Sequence, residues 1–177
     1  MPTQRGAEHV KAMPRPIAEK EIDAIAVKIS RGPLGLVCHQ PEAWARPKCC
    51  FSNVWRKVEL SGGRTRYGWT FHSRINAGAG EYIFVTHHAV WNPPDGRLID
   101  VTPFHEDPQH HPLLIDGNVL FLVDDKAKPV VKGAVTAPLP LRYFPRGDDE
   151  KIAKYVEEMN DKEQQELTSL IDRHDGR

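Results

Sequence analysis

The sequence predicts an α+β domain, and three observations indicate this fold class. Two segments with helical spacing occur before residue 64, and five segments rich in β-branched and aromatic residues follow them. A charged segment with helical spacing ends the chain. Short turn-forming sequences separate the strand segments and favour antiparallel neighbours. We therefore expect a helix at each end of the chain, and a central helix that packs on an antiparallel sheet.

Changes in composition predict where the domain begins and ends. Residues 1–15 contain two prolines and no periodicity, which indicates a flexible arm. Residues 16–147 are the predicted α+β domain. Residues 148–177 are predicted to form a helical segment that packs on this domain or extends from it. A chain of 177 residues suits one domain with tails.

The first helix is predicted over residues 16–30, where Pro16 suits a first turn and Ile22, Ile25 and Ile29 have helical spacing. The sequence "RGPLG" ends this helix. Residues 36–48, "LVCHQPEAWARPK", contain two prolines and no clean period, so we predict a surface loop. A second helix is predicted over "CCFSNVWRKVELSGG", with a Gly-Gly stop.

The strand predictions follow from β-branched and aromatic content, with Gly, Pro, Asn and Asp between the segments. They cover "RTRYGWTFH", "EYIFVTHHAVW", "RLIDVTP", "NVLFLVDD" and "KPVVKGAV". The sequence "HSRINAGAGEY" between the first two is interpreted either as a lid or as a long hairpin loop. The C-terminal segment is predicted to be helical with a break at Asn160-Asp161, where Asp161 and Gln164 have the spacing of a capping box.

The charge balance argues against two classes of partner. Lysine plus arginine number 24 and aspartate plus glutamate number 24, so no basic surplus favours nucleic acid or an anionic membrane. No apolar run approaches the roughly 20 residues that span a bilayer. Three cysteines, two of them adjacent, make a disulfide framework unexpected. We expect a cytoplasmic protein that binds neither nucleic acid nor membranes.

The cysteine pair at the start of the second helix supplies the first candidate site residue. At about 100° per residue, with Cys50 at zero, Val54 and Phe51 fall at roughly 40° and 100°. Cys50 therefore borders the apolar face, whereas Cys49 falls at about 260° on the polar side. Unpaired N–H groups and the helix dipole favour a thiolate at a helix start and can hold an oxyanion. Cys50 is the better candidate nucleophile, although free cysteines are commonly small buried hydrophobic residues.

A histidine and an aspartate in neighbouring strand segments supply the next candidates. Strand alternation places His88 and His87 on opposite faces, so only one of them can face the helix. The turn sequence "NPPDG" separates the strand of His88 from the strand of Asp100. Residues at similar distances from a hairpin turn lie near each other, so we expect Asp100 to approach His88. A carboxylate in that position would hold the imidazole in one tautomer.

These segments together resemble the core of the papain-like and transglutaminase-like cysteine enzymes. In those families a cysteine opens a helix, a His-Ala-aromatic sequence occupies one strand, and an acidic residue lies on the next. The resemblance covers residues 49–103, through "HHAVW" and "GRLIDVTP". It implies a papain-like/transglutaminase-like core with Cys50 as nucleophile, His88 as base and Asp100 as orienting carboxylate.

The resemblance implies acyl transfer without a cofactor. The Cys50 thiolate would attack an amide or thioester carbonyl, and His88 would protonate the leaving amine and then activate water or an acceptor amine. Gln40 would add an oxyanion donor, as a glutamine does in papain-like sites. The expected substrate is a peptide, a protein or a small amide or thioester. Hydrolysis, deamidation and transfer share the thioacyl intermediate, so these residues do not choose among them.

Two other functions stay open at this stage. A zinc site would use soft ligands and the histidines of "HEDPQHH", although no C-x-x-C or H-E-x-x-H spacing occurs. Its candidate ligands are Cys38, His39, Cys49, Cys50, His105, His110 and His111. A binding module would keep the fold without catalysis and dock a partner on an apolar stripe of the C-terminal helix. That stripe consists of Ile152, Tyr155, Val156 and Met159.

Overall fold

A computed structural model of the chain describes residues 14–133 and 135–175 and confirms the α+β class. Within these ranges, the α-helices are α1 (Glu19–Ile29), α2 (Cys50–Ser61) and α3 (Glu150–Asp175), and a short 3-10 helix spans Pro108–His110. The strands are β1 (Leu34–His39), β2 (Arg64–Asn76), β3 (Gly80–Asn92), β4 (Ile99–Asp100), β5 (Leu114–Ile115), β6 (Asn118–Val123), β7 (Val130–Lys132), β8 (Val135–Ala137) and β9 (Arg142–Pro145). No helix in these ranges combines the length and apolar composition needed to cross a lipid bilayer.

Five strands of the mostly antiparallel main sheet close into a ring. The order around the ring is β1, β4, β3, β2 and β6, because β1 pairs both with β4, in parallel, and with β6, antiparallel. Strands β2 and β3 form a long hairpin that extends beyond the ring, and β9 pairs with that extension. One buried apolar cluster fills the inside of the ring and consists of Val37, Val90, Phe121 and Val123.

The surface loop predicted for residues 36–48 is wrong in its first part, because Leu34–His39 is the ring strand β1. Only one residue of β1, Val37, is fully buried, at 1% exposure. The remaining side chains are exposed or half-buried, so the strand lacks the apolar alternation that would predict it. Its stability comes from two backbone ladders to strands distant in sequence, which a local pattern does not contain.

Helices α1 and α2 cover the outer face of the ring and of its hairpin. Helix α1 places Ile22, Ile25 and Ala26 against Trp69 and its apolar neighbours on the hairpin. Helix α2 buries its apolar side against β3 and β4, in a cluster that contains Cys50, Phe51, Val54, Ala89, Ile99 and Val101. The predicted packing of the cysteine-bearing helix on an antiparallel sheet is therefore present.

The segment interpreted as a lid or a long loop is the tight end of the β2–β3 hairpin. The two strands pair continuously as far as Asn76 and Gly80, which leaves three residues for the turn. The side-chain oxygen of Asn76 accepts hydrogen bonds from the backbone N–H groups of Gly78 (2.9 Å) and Ala79 (3.0 Å). Gly80 has a φ of 125°, a conformation that favours glycine.

Helix α3 continues through the position where a break was predicted. The Asn160 side chain does not end the helix, because it bonds to the backbone N–H (2.8 Å) and carbonyl (3.1 Å) of Tyr143 on β9. Ile152 and Val156 pack with Tyr143 in a separate apolar cluster. The stripe considered as a docking surface is therefore engaged at least in part within the chain.

The other strand predictions differ in extent. The "RLIDVTP" strand shortens to Ile99–Asp100, and "KPVVKGAV" splits into the hairpin of β7 and β8. The predicted arm, residues 1–15, lies outside the described residues up to residue 13. The two described residues of that arm, Pro14 and Arg15, lead into α1, and the Arg15 guanidinium pairs with Glu81 at 3.0 Å.

Candidate active site

A cavity of about 480 Å³ lies beside the first turn of α2. It runs from that turn along the inner face of the β2–β3 hairpin, towards the segment between β8 and β9. Its lining residues include Cys50, His72, Thr86, His88 and Asp100.

Cys50 is the first residue of α2 and is buried, with 8% of its surface exposed. Cys49 is the N-cap residue and is exposed, and its side chain makes no capping hydrogen bond. The first N–H groups of a helix have no intrahelical acceptor. Residues 50–52 line the cavity, so their N–H groups are positioned at its edge, close to the thiol. This arrangement suits an oxyanion.

His88 bridges Cys50 and Asp100. Its Nε2 lies 3.0 Å from Oδ2 of Asp100, and because the carboxylate can only accept, Nε2 carries the proton. Nδ1 is thereby left for Cys50. Burial alone would lower the pKa of His88, but the Asp100 carboxylate and the Cys50 thiol outweigh it by charge and hydrogen bonding. The pKa of His88 is raised well above 6.5, which favours an imidazolium beside the sulfur.

Asp100 is itself held in place by the chain around it. Its second carboxylate oxygen accepts a hydrogen bond from the N–H of Thr102 at 3.0 Å. Its backbone carbonyl accepts from the N–H of Gln40 at 2.9 Å, just beyond the β1–β4 pairing. The carboxylate is 3% exposed. Among the described residues, its only side-chain ion partner is His88. The ring strand β1 thus stabilises the position of the carboxylate.

His87 has a different role from its neighbour. Its ring lies on the face that α2 covers, with its centroid 4.9 Å from that of Phe51, so the helix-facing histidine of the pair is His87. Nδ1 of His87 accepts from the N–H of Leu139 (2.9 Å), which leaves Nε2 to donate to the carbonyl of Ala127 (2.5 Å). Burial lowers the pKa of His87 to about 4, so the ring is neutral near pH 7. Its two hydrogen bonds hold two loops together.

His88 still reaches Cys50 from the opposite face of β3. This is possible because Cys50 is the first residue of α2, where the packed side of the helix meets the edge of the cavity. The expectation that only one histidine faces the helix is correct, but facing the helix is not what brings a histidine to the thiol.

The structure does not bring Gln40 into this group. Gln40 is exposed and is not part of the cavity lining, so its side chain is not placed as an oxyanion donor. Its contribution is the backbone hydrogen bond to Asp100. The proline that follows it, Pro41, begins the surface loop that leads to α2.

Two polar groups near the site were missed in the sequence. Asn53 on α2 is buried and bonds to both backbone groups of Arg46 (3.1 and 2.8 Å) and to the hydroxyl of Thr102 (3.2 Å). It ties the loop before Cys50 to the segment after Asp100. His72 lies deeper in the cavity with Thr86. The sequence feature that could have indicated His72 is the alternation of polar and apolar residues along its strand, β2.

The described residues contain no set of ligands for the metal site that the sequence left open. No group of three or more His, Cys, Asp and Glu side chains there is arranged to hold a metal ion. Cys38 and Cys49 are exposed, and the ring of His39 stacks on Phe104 at 3.7 Å with Nε2 on the carbonyl of Thr102. The remaining histidines of that hypothesis, His105, His110 and His111, contact one another and their own loop.

Comparisons of the chain with models of protein families, with curated proteins and with solved structures found no match.

Proposed function

We propose that this protein is a thiol-dependent acyl-transfer enzyme that uses Cys50, His88 and Asp100, with a core of the papain-like and transglutaminase-like kind. The observation that carries the proposal is the contact of one imidazole with both a carboxylate and a thiol at the start of a helix. Three residues separated by up to 50 positions in the chain meet at one end of a cavity. A neutral structural histidine, such as His87, has no need of this combination of partners.

In the proposed reaction, the Cys50 sulfur attacks the carbonyl carbon of an amide. An S–C bond forms and the carbonyl oxygen becomes an oxyanion held by the N–H groups at the start of α2. The C–N bond then breaks as the His88 imidazolium gives its proton to the leaving nitrogen. Water next loses a proton to His88 and attacks the thioacyl carbon. The C–S bond breaks, and the thiolate and the imidazolium are restored with a carboxylic acid as product.

The test is acylation of the thiol by 4-nitrophenyl acetate. The acylation is measured in two ways, as a burst of nitrophenolate and as an increase in the mass of the intact protein. We expect one acetyl group on Cys50 in the wild-type protein and in Cys49→Ala, and none in Cys50→Ala. Cys49 is the matched control because it is adjacent, more exposed and outside the contact with His88. Cys50→Ser keeps a similar volume and reports on the fold through its circular dichroism.

Three results would contradict the proposed function. The first is equal acylation of the Cys49→Ala and Cys50→Ala variants, since the burst would then not depend on the thiol beside His88. The second is a Cys50→Ser variant that unfolds, since the thiol would then be a core group. A thiol that reacts no faster than free cysteine would indicate a binding module with the same fold.

A further inference from the structure

A second polar cluster lies in the same cavity, one step along the hairpin from His88. It consists of His72 and Thr70 on β2 and of Thr86 on β3, where Thr70 and Thr86 are opposite each other. The two hydroxyl oxygens are 2.6 Å apart, and Nε2 of His72 lies 3.3 Å from Thr70 and 3.1 Å from Thr86. The reaction proposed above uses none of these groups.

The tautomer of His72 follows from its other contact. Nδ1 lies 3.0 Å from the backbone carbonyl of His111, which can only accept, so Nδ1 carries a proton. Burial lowers the pKa of His72 to about 3, so the ring is neutral near pH 7. A neutral imidazole has one N–H, and Nε2 is therefore a bare acceptor that faces the two hydroxyl groups. Stacking on Phe84, with centroids 4.6 Å apart, holds the ring in this position.

Both hydroxyl protons are donated in hydrogen bonds within the cluster. One hydroxyl donates to Nε2 of His72, and the 2.6 Å contact between Thr70 and Thr86 requires that the other hydroxyl donates across it. The two possible assignments exchange the roles of the threonines and leave the same result. The hydroxyl oxygens present only lone pairs to the cavity, because each hydroxyl has one proton to give. A ligand group opposite them must therefore be a hydrogen-bond donor.

The charges around the cavity decide which kind of donor is favoured. Asp100 is the only acidic side chain of the described lining, and it is paired with His88. Lys48 and the imidazolium of His88 contribute positive charge to the same lining. A ligand ammonium would be repelled by these cations, and no unpaired carboxylate in the described lining would offset this repulsion. A neutral N–H donor meets no such penalty.

We propose that the acyl part of the substrate carries a neutral amide N–H that binds the hydroxyl oxygens of Thr70 and Thr86, with His72 as the residue that fixes their polarity. This inference rests on the proposed function and names the substrate class for its site. Thr86 and His88 are two residues apart on one face of β3, which separates them by about 7 Å. The amide N–H therefore lies a few bonds from the reacting carbonyl, as in an acylamino or peptide-like acyl chain.

Two matched esters test this inference. The probes are the 4-nitrophenyl ester of 4-acetamidobutanoate, which has an N–H in the acyl chain, and its N-methyl analogue, which has none. The burst rate of nitrophenolate is measured with the wild-type protein, Thr86→Val and Thr86→Ser. Valine keeps the shape of threonine and removes the hydroxyl oxygen, whereas serine keeps the oxygen. Circular dichroism verifies the fold of each variant.

The wild-type protein is expected to react at least about tenfold faster with the N–H ester, since a donor that meets unpaired acceptors is worth on the order of 1.4 kcal/mol. Thr86→Val should bring the ratio of the two rates towards one, and Thr86→Ser should keep the preference. Equal rates for both esters in the wild-type protein overturn this inference, as does a preference that survives in Thr86→Val. A Cys50-dependent burst with equal rates leaves the proposed function intact, whereas no burst with either ester overturns both.

Discussion

At the scale of single residues, the adjacent histidines of β3 differ most in their environment. His87 is held neutral between two backbone groups, and its pKa is lowered to about 4 by burial. In His88 burial acts in the same direction, but a carboxylate and a thiol reverse the outcome and raise the pKa. One peptide bond separates the two rings, and the pleat of the strand sends them to opposite faces. The partners, and not the depth of burial, decide which histidine is suited to move a proton.

The Asp100→Asn variant tests the role of this partner. The amide nitrogen of asparagine donates to Nε2, which moves the ring proton to Nδ1, where it faces the sulfur. We expect the rate of the proposed amide hydrolysis to fall by about 10⁴-fold, the order that a wrong tautomer costs in a hydrolase triad. The loss of the carboxylate should also move the descending, alkaline limb of the pH–rate profile to lower pH, because the pKa of His88 is no longer raised by that charge.

Asp124→Asn is the matched control for this variant. Its carboxylate accepts from the indole of Trp69 at 3.2 Å, and it lies away from the thiol. The control should keep both the rate and the alkaline limb. An Asp100→Asn protein with an unchanged alkaline limb would mean that another group sets the protonation of His88.

The contact of His88 with Asp100, the burial of Cys50 and the exposure of Cys49 were predictable from sequence, because they depend on local periodicity. The position of a residue relative to a hairpin turn and its angle on a helix are properties of a few neighbouring residues. The Asn53 and His72 contacts were not predictable, since each partner comes from a distant segment. Gln40 was assigned by resemblance alone, and it is exposed and is not among the residues that line the cavity.

At the scale of elements, one buried arginine ties α1 to the hairpin. Arg146, with a side chain 3% exposed, uses all five of its N–H donors. They reach both carboxylate oxygens of Glu21, one of Glu81, and the backbone carbonyls of Arg15 and Pro16. The guanidinium of Arg146 also lowers the pKa of Glu21. A planar fork with five donors matches this set of acceptors.

Replacement of Arg146 by lysine is therefore expected to destabilise the protein. Lysine has three donors at one point and leaves partly buried acceptors without partners, at a cost of about 1–3 kcal/mol in the free energy of unfolding. Urea unfolding measures the loss. Arg142→Lys, where one exposed guanidinium contact to the carbonyl of Lys28 is changed, should stay within about 0.5 kcal/mol of the wild-type value. A similar midpoint for both variants would contradict the assigned role of Arg146.

Helices and long strands followed from the sequence more closely than short strands did. α1, α2 and the paired length of β2 and β3 have their own periodicity. β1, β4 and β9 are short, and they owe their conformation to ladders with strands far along the chain. The absence of a break in α3 has a similar origin, because Asn160 bonds to a neighbouring strand instead of a helix end.

At the scale of the whole molecule, two neutral buried histidines set the response to acid. The pKa values of His72 and His87 are lowered by burial to about 3 and about 4, below the ordinary 6.5. As the pH falls below 6.5, the unfolded chain binds these protons first, so the free energy of unfolding decreases. The slope is about 1.4 kcal/mol per pH unit for each ring until its folded pKa is reached. The raised pKa of His88 gives a contribution that is complete below 6.5 and is lost at higher pH, so it does not oppose this slope.

Urea unfolding at pH 7, 6 and 5 measures this dependence. His87→Gln should show a shallower slope than the wild-type protein below pH 6.5, because one of the two titrating rings is removed. His110→Gln, at an exposed loop position, should keep the wild-type slope. Equal slopes for all three proteins would mean that these buried rings do not control acid unfolding.

The closure of the ring has a consequence for the order in which the molecule is made. Cys50, His88 and Asp100 all precede residue 118, but β1 obtains its antiparallel neighbour only from Asn118–Val123. A nascent chain that ends before this segment already contains the thiol, the imidazole and the acid, yet it lacks the strand that closes the ring. The last ring strand must therefore leave the ribosome before β1, whose end is bonded to the backbone of Asp100, has both of its neighbouring strands.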